Sequence, residues 1–306
     1  MANQTRNTYF SRIYELMQRD ERIVIISVDL AGPPFDKIRD CFPKRYIPVG
    51  IAEQNAISVA CGLASIGKKV IVYAANPFTI LRAFDQIRNA VCAMKLPITI
   101  VGLGTGFSVA ECGSTHLTLE DVALTSLCAG LKIYSPSDNN SAYYLANEIQ
   151  NVCFPTYIRF GKWAGENLGD INGDIFTCGY RKIKEGKDVA IVATGCSCKL
   201  LMDMGLSDRI AIFDWFEISN VDALVNELRN YTVVISVAEM LLRGGIGSIL
   251  LEEFSDKGIA SRIKRIGIIL EKGYPQEYGD RKYWLEKYNI TSNNINRIVE
   301  EMDNRI

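Results

Sequence analysis

The chain has 306 residues, 48% hydrophobic and 23% charged, enough for a buried core and for two domains. Its 34 basic and 35 acidic residues leave a net charge of −1, and no run is basic enough to draw nucleic acid or an anionic membrane surface. The polar start MANQTRNTYFSRIYELMQRDERI is not a secretory signal, and no apolar stretch reaches the roughly 18 residues that span a bilayer, so a soluble cytoplasmic protein is expected.

Short runs rich in Val and Ile alternate with helical patterns, the signature of open parallel α/β sheets. In the first half the spacing predicts strands over 23–28, 46–48, 70–74, 98–102, 132–135 and 156–159. Helices are predicted near 6–18, 52–65, 78–94, 119–128 and 138–151. The stretch GKWAGENLGDINGDIFTCG, 161–179, is rich in Gly, Asn and Asp and reads as a linker. A second alternation follows, with strands over 189–194, 210–214, 233–237 and 263–268. Its helices lie near 197–205, 220–230, 245–257 and 291–303, the last opening on Thr291 and Ser292 as caps. The expected fold class is therefore α/β: two open, mostly parallel sheets flanked by helices. Domains are placed at 1–163 and 181–306, with 164–180 as the linker.

The nine cysteines are scattered and form no CxxC pair, which argues against a disulfide framework or a zinc site. Cys196 and Cys198 read as small core residues beside a strand end. In open α/β sheets ligands gather at the carboxyl ends of the strands, which directs attention to the loops 29–35, 50–54, 75–78, 102–116 and 159–163. Glu53 opens an apolar helix, where a carboxylate complements the helix dipole without any further role. The loop GLGTGFSVAECGSTHLTLED, 102–121, is long and Gly-rich, and long loops in compact folds tend to be functional. It carries His116, the single histidine, a residue type suited to general acid–base work. A Cys112–His116 nucleophilic pair finds no oxyanion-hole or third-member signal. ILRAFDQIRNAV, 80–91, reads by spacing alone as an amphipathic surface helix.

Taken in order, GIAEQN (50–55), RAFDQIRNAV (82–91), ECGSTHLTLEDVAL (111–124) and PSD (136–138) resemble the C-terminal part of transketolases. Weaker likeness continues at IRF (158–160) and AEMLLRGGIGS (238–248). The resemblance implies a thiamine-diphosphate pyrimidine-binding fold followed by a transketolase C-terminal-like domain. It also implies transfer of a two-carbon ketol unit from a ketose to an aldehyde. Glu53 would bond the aminopyrimidine ring nitrogen of thiamine diphosphate and so activate the cofactor. Asp29 would lie near the thiazolium, with Arg82 and Gln86 beside the pyrimidine. The aromatic platform of the family falls on Asn76 and Thr79, so Phe78, one residue off, is the candidate ring. His116 would line the substrate channel and bond the sugar. Arg159 would meet the substrate's distal anion, a job suited to a planar fork of donors. Cys112 stands where the family has an aspartate that meets an acceptor hydroxyl, and Gly104 where it has a histidine.

These departures imply a modified sugar, whether deoxy, branched or otherwise altered. The GDG…N signature that binds diphosphate and Mg²⁺ in the family is not present in this sequence. The resemblance therefore implies a split enzyme: the Mg²⁺ site comes from a partner N-terminal-type subunit, and a second copy of this chain completes an α₂β₂ heterotetramer. Two alternatives stand beside this reading. One is a decarboxylating relative, similar to deoxyxylulose-phosphate synthase or a 2-oxo-acid dehydrogenase beta subunit. The other is a non-catalytic assembly subunit. The C-terminal half offers no motif tied to chemistry.

Overall fold

Every apolar run singled out above is a strand in the computed structural model, which describes residues 4–30, 32–162, 165–271 and 273–303. Trp163, the end of one of the loops of interest, and the 163–164 domain boundary lie outside the described residues. Six strands form the first sheet: β1 (Ile23–Ser27), β2 (Tyr46–Pro48), β3 (Lys69–Ala75), β4 (Ile98–Leu103), β5 (Lys132–Tyr134) and β6 (Thr156–Phe160). All are parallel, in the order β2-β1-β3-β4-β6-β5. β1 and β6 are buried along their whole length, as a parallel sheet covered on both faces requires.

The alternation of side chains explains how one run serves two faces. Ile71 and Tyr73 of β3 join a cluster with Tyr9, Phe10 and Ile13 of the helix Thr5–Met17. Val70, Val72 and Ala74 point the other way, into a cluster with Ala56, Ile57 and Ala60 of the helix Glu53–Ser65. The chain leaves β1 towards β2 on one side and crosses back to β3 on the other. The carboxyl ends of β1 and β3 therefore flank the switch point where such sheets bind ligands.

The second sheet contains β7 (Tyr180–Lys184), β8 (Val189–Ala193), β9 (Ile210–Trp215), β10 (Val233–Leu241) and β11 (Arg262–Ile268), in the order β11-β10-β8-β9-β7. Only β7 runs antiparallel. No helix among the described residues is long and apolar enough to cross a membrane.

Three expectations need correction. The stretch read as a linker holds the helix Gly173–Cys178, which the Asn172 side chain caps by accepting from Ile175 N at 2.9 Å, and it ends as β7 begins. The loop after β1 is short, because a helix starts at once over Pro33–Cys41, with proline in its first turn. The segment 78–94 is no single α-helix. Two wide π-type turns, Phe78–Arg82 and Ile87–Cys92, flank a short α segment at Phe84–Gln86, a distortion that often marks functional sites.

The two halves are welded rather than tethered. Ser135 N donates to Phe216 O and Ile218 N to Ile133 O, each at 2.8 Å. One apolar cluster takes in Val122, Leu131 and Ile133 from the first half with Trp215, Ile218 and Met240 from the second. The PSD segment serves the same seam. Asp138 caps the helix Asn139–Asn147 and accepts from Arg181 Nη2 at 2.8 Å, while Arg181 Nε reaches Asp214 at 3.0 Å.

Candidate active site

Glu53 begins its helix, but the dipole alone does not account for it. A first-turn carboxylate can complement the dipole from solvent, whereas Glu53 is 4% exposed, and burying a charge is costly unless it is paired. Its partner is Arg82, whose Nη1 donates to Oε2 at 2.7 Å. The other oxygen, Oε1, makes no hydrogen bond among the described residues.

Arg82 leads to the next member. Its guanidinium carbon lies 4.6 Å from the centroid of the Phe78 ring, which sits four positions earlier at the start of the wide turn. Phe78 also meets His116 edge-on, with centroids 5.1 Å apart and planes at 82°. His116 Nδ1 is 3.1 Å from Thr115 Oγ1, which leaves Nε2 for another partner. Glu53, Arg82, Phe78 and His116 thus form one continuous run, assembled from three separate segments of the chain. Gln86 follows one turn after Arg82, and its buried Oε1 has no hydrogen-bond partner among the described residues. Asn76 and Thr79, the positions of the family's aromatic platform, are fully buried and engaged elsewhere, and Phe78 is the aromatic residue beside Arg82 and His116. Asp29, two residues past β1, sits in the left-handed region at φ 47°, exposed, and its side chain bonds none of these four.

Arg159 departs from expectation. It is 4% exposed, and Nε and Nη2 donate to Asp121 at 2.7 and 3.2 Å, with Nη1 3.4 Å from Ser135 Oγ. Burial works against its charge, and the adjoining Asp121 carboxylate outweighs burial, so the guanidinium stays above its ordinary value. Asp121 also accepts from Tyr157 Oη at 2.7 Å and from Asn76 Nδ2 at 3.1 Å. Arg159 therefore neutralises an interior carboxylate, with Nε and Nη2 both turned to Asp121. The cation exposed at that end of the sheet is Lys162, three residues on, whose Nζ lies 3.4 Å from Glu111 Oε1. Cys112, next to Glu111, is an exposed thiol. Sequence reasoning passed over Lys162 and Asp121, although Asp121 lies within LTLED, because nothing in a linear chain announces the pairing with Arg159. Burial pushes the Cys196 and Cys198 thiols well up, and the neighbouring Glu239 and Asp214 carboxylates add to this, as expected of inert core thiols.

Known proteins share both the sequence and the fold. Residues 2–165 match the transketolase pyrimidine-binding domain. The chain is 30% identical over 264 residues to one of the subunits of the apulose-4-phosphate transketolase of Actinobacillus succinogenes, covering 83% of each. It is 28% identical to the 6-deoxy-6-sulfo-D-fructose transketolase subunit of Clostridium sp. strain MSTE9, covering 98% of this chain and 94% of that one. Among solved structures, a split-gene transketolase in the form of an inactive beta4 tetramer superposes with a TM-score of 0.80 at 27% identity, covering 97% of both chains. The transketolase of Leishmania mexicana shares the fold with a TM-score of 0.79 at 19% identity, and the match spans 46% of its length.

Proposed function

Because the chain belongs to the transketolase family, as a counterpart of the subunits of its split members, we propose that, together with a partner subunit, it transfers a two-carbon ketol unit from a modified ketose to an aldehyde. The run Glu53–Arg82–Phe78–His116 carries this reading, since it places a buried carboxylate, an aromatic ring and an imidazole within reach of one ligand.

The residues fit the aminopyrimidine end of thiamine diphosphate. Among the described residues Gln86 Oε1 is an orphaned buried acceptor and Glu53 Oε1 makes no hydrogen bond, and the Phe78 ring meets both Arg82 and His116. When bound, the cofactor supplies the nucleophilic carbon that attacks the ketose carbonyl. Glu53 holds or accepts a proton at its carboxylate, and Arg82 fixes the orientation of that carboxylate. His116 uses Nε2 to bond sugar oxygens, with Nδ1 turned to Thr115. Lys162, rather than Arg159, offers its charge to the anionic end of the sugar. Cys112 leaves the acceptor side without a charged partner, which suits a sugar lacking the usual hydroxyl pattern. The two relatives named above act on a sugar phosphate and on a sulfonated deoxy sugar, both anionic at one end, and this supports the modified-sugar reading. We assign the diphosphate and Mg²⁺ to an N-terminal-type partner subunit, in keeping with relatives of this length that are themselves subunits.

The test is to purify the chain together with its partner subunit, then to assay two-carbon transfer from ketoses ending in phosphate or sulfonate. Transfer to an aldehyde is expected, with none from either chain alone. Carbon dioxide release from a 2-oxo acid, without ketol transfer, would overturn the reading in favour of a decarboxylating enzyme.

A further inference from the structure

The second half of the chain reaches back over the loop that carries His116. After β11 the segment 273–280 runs without regular structure into the helix Arg281–Lys287. It meets the loop at three places, in antiparallel order. Tyr274 Oη bonds Glu120 Oε1 at 2.5 Å, where the loop leaves. Tyr278 lies against Gly113, at the middle of the loop, and a Cβ built on that glycine would stand 2.9 Å from ring carbon Cε1. Arg281 pairs with Glu239, whose Oε2 accepts from Phe107 N at 3.3 Å, where the loop enters. The Phe107 ring also stacks against Trp284 and Tyr288, with centroids 5.9 and 5.8 Å away.

These contacts differ in kind. At the entry Phe107, Glu239 and Trp284 are all buried, so that contact belongs to the core. Tyr278 is 74% exposed and adds little to any core, yet its ring presses on one particular residue. Gly113 has φ 83° and separates the turn Ala110–Cys112 from the turn Ser114–His116. With no side chain and a left-handed backbone, it is the point about which the two turns can swing. The angle between Cys112 and His116 therefore depends on what rests against Gly113.

We propose that Tyr278 is a positioning residue: its ring holds the Gly113 hinge, so the C-terminal half sets the spacing of Cys112 and His116 and thereby the sugar that is accepted. The part of this claim that concerns sugar rests on the function proposed above; the part that concerns the loop does not. The contact is made by ring carbons, and the Tyr278 hydroxyl makes no hydrogen bond among the described residues, so phenylalanine should serve equally well.

The test compares Tyr278→Ala and Tyr278→Phe with wild type by hydrogen exchange across 106–120, and by steady-state kinetics of the assembled enzyme. In Tyr278→Ala, exchange at 110–118 speeds up. The ketose KM rises about fivefold, the size of one lost aromatic contact, while kcat and cofactor affinity hold. Tyr278→Phe restores both readouts. Unchanged exchange in Tyr278→Ala overturns the proposal, and so does faster exchange with an unchanged ketose KM. If the assembled enzyme turns over no ketose, the proposed function fails. Exchange alone then decides whether Tyr278 holds the loop.

Discussion

Glu53 is buried, and Arg82 pairs with one of its oxygens while the other makes no hydrogen bond among the described residues. Glu53→Gln keeps the shape and an acceptor for Arg82 but removes the charge that shares a proton. Ketol transfer by the assembled enzyme is expected to fall about 10²- to 10⁴-fold with the melting temperature nearly unchanged; full activity in that variant would remove Glu53 from the mechanism. The two cations at the end of β6 separate just as cleanly. Arg159→Met leaves Asp121 buried without its counter-charge and should cost about 3–5 kcal/mol in urea unfolding. Lys162→Ala should leave stability alone and raise KM for ketoses with an anionic end. The reverse pattern would return the anion to Arg159. The pairing of Arg159 with Asp121 was not legible in the sequence for a physical reason. A charged residue at the end of an apolar strand looks ligand-directed, and its partner lies 38 positions away, brought there only by the folded sheet. Asn76 and Thr79, at the family's two ring positions, are buried, and Phe78 stays the candidate ring that the sequence offered.

Among the elements, the strands were the most legible. β1, β3, β4, β6, β8, β9 and β10 are runs that only a sheet covered on both faces can bury. β7 was missed because its sequence, YRKIK, has no such run, and an edge strand needs none. The wide turns at Phe78–Arg82 and Ile87–Cys92 were missed as well, since apolar spacing over so few residues does not separate them from α-helix. The packing of β4 against the loop after β3 yields a prediction. A Cβ on Gly102 would fall 1.9 Å from Asn76 Oδ1, within the network joining Asn76, Tyr157 and Asp121. Gly102→Ala is expected to cost about 1–3 kcal/mol by overpacking, read from the urea midpoint. A midpoint equal to that of wild type would mean that Asn76 swings clear.

Across the whole molecule, the seam between the halves carries buried acids. Burial lifts the Asp214 and Glu217 carboxyls above their ordinary values, while Arg181 and Lys132 pull the other way. The folded chain therefore keeps protons that the unfolded chain has released. Stability present below the ordinary carboxylate range is lost as pH rises through the lifted values. Glu217→Gln removes one such group, so in a melting series wild type should lose stability relative to the variant as pH rises above the ordinary glutamate value of about 4.3. A constant offset between the two would rule this out. The margins of the sheets have a consequence for the protein at high concentration. The first sheet ends in β2 and β5, each three residues long. The second ends in β7, with Lys182 and Lys184, and in β11, with Arg262, Lys264 and Arg265. Rims this short or this cationic are poor templates for a foreign strand, so the chain resists edge-to-edge growth into fibrils.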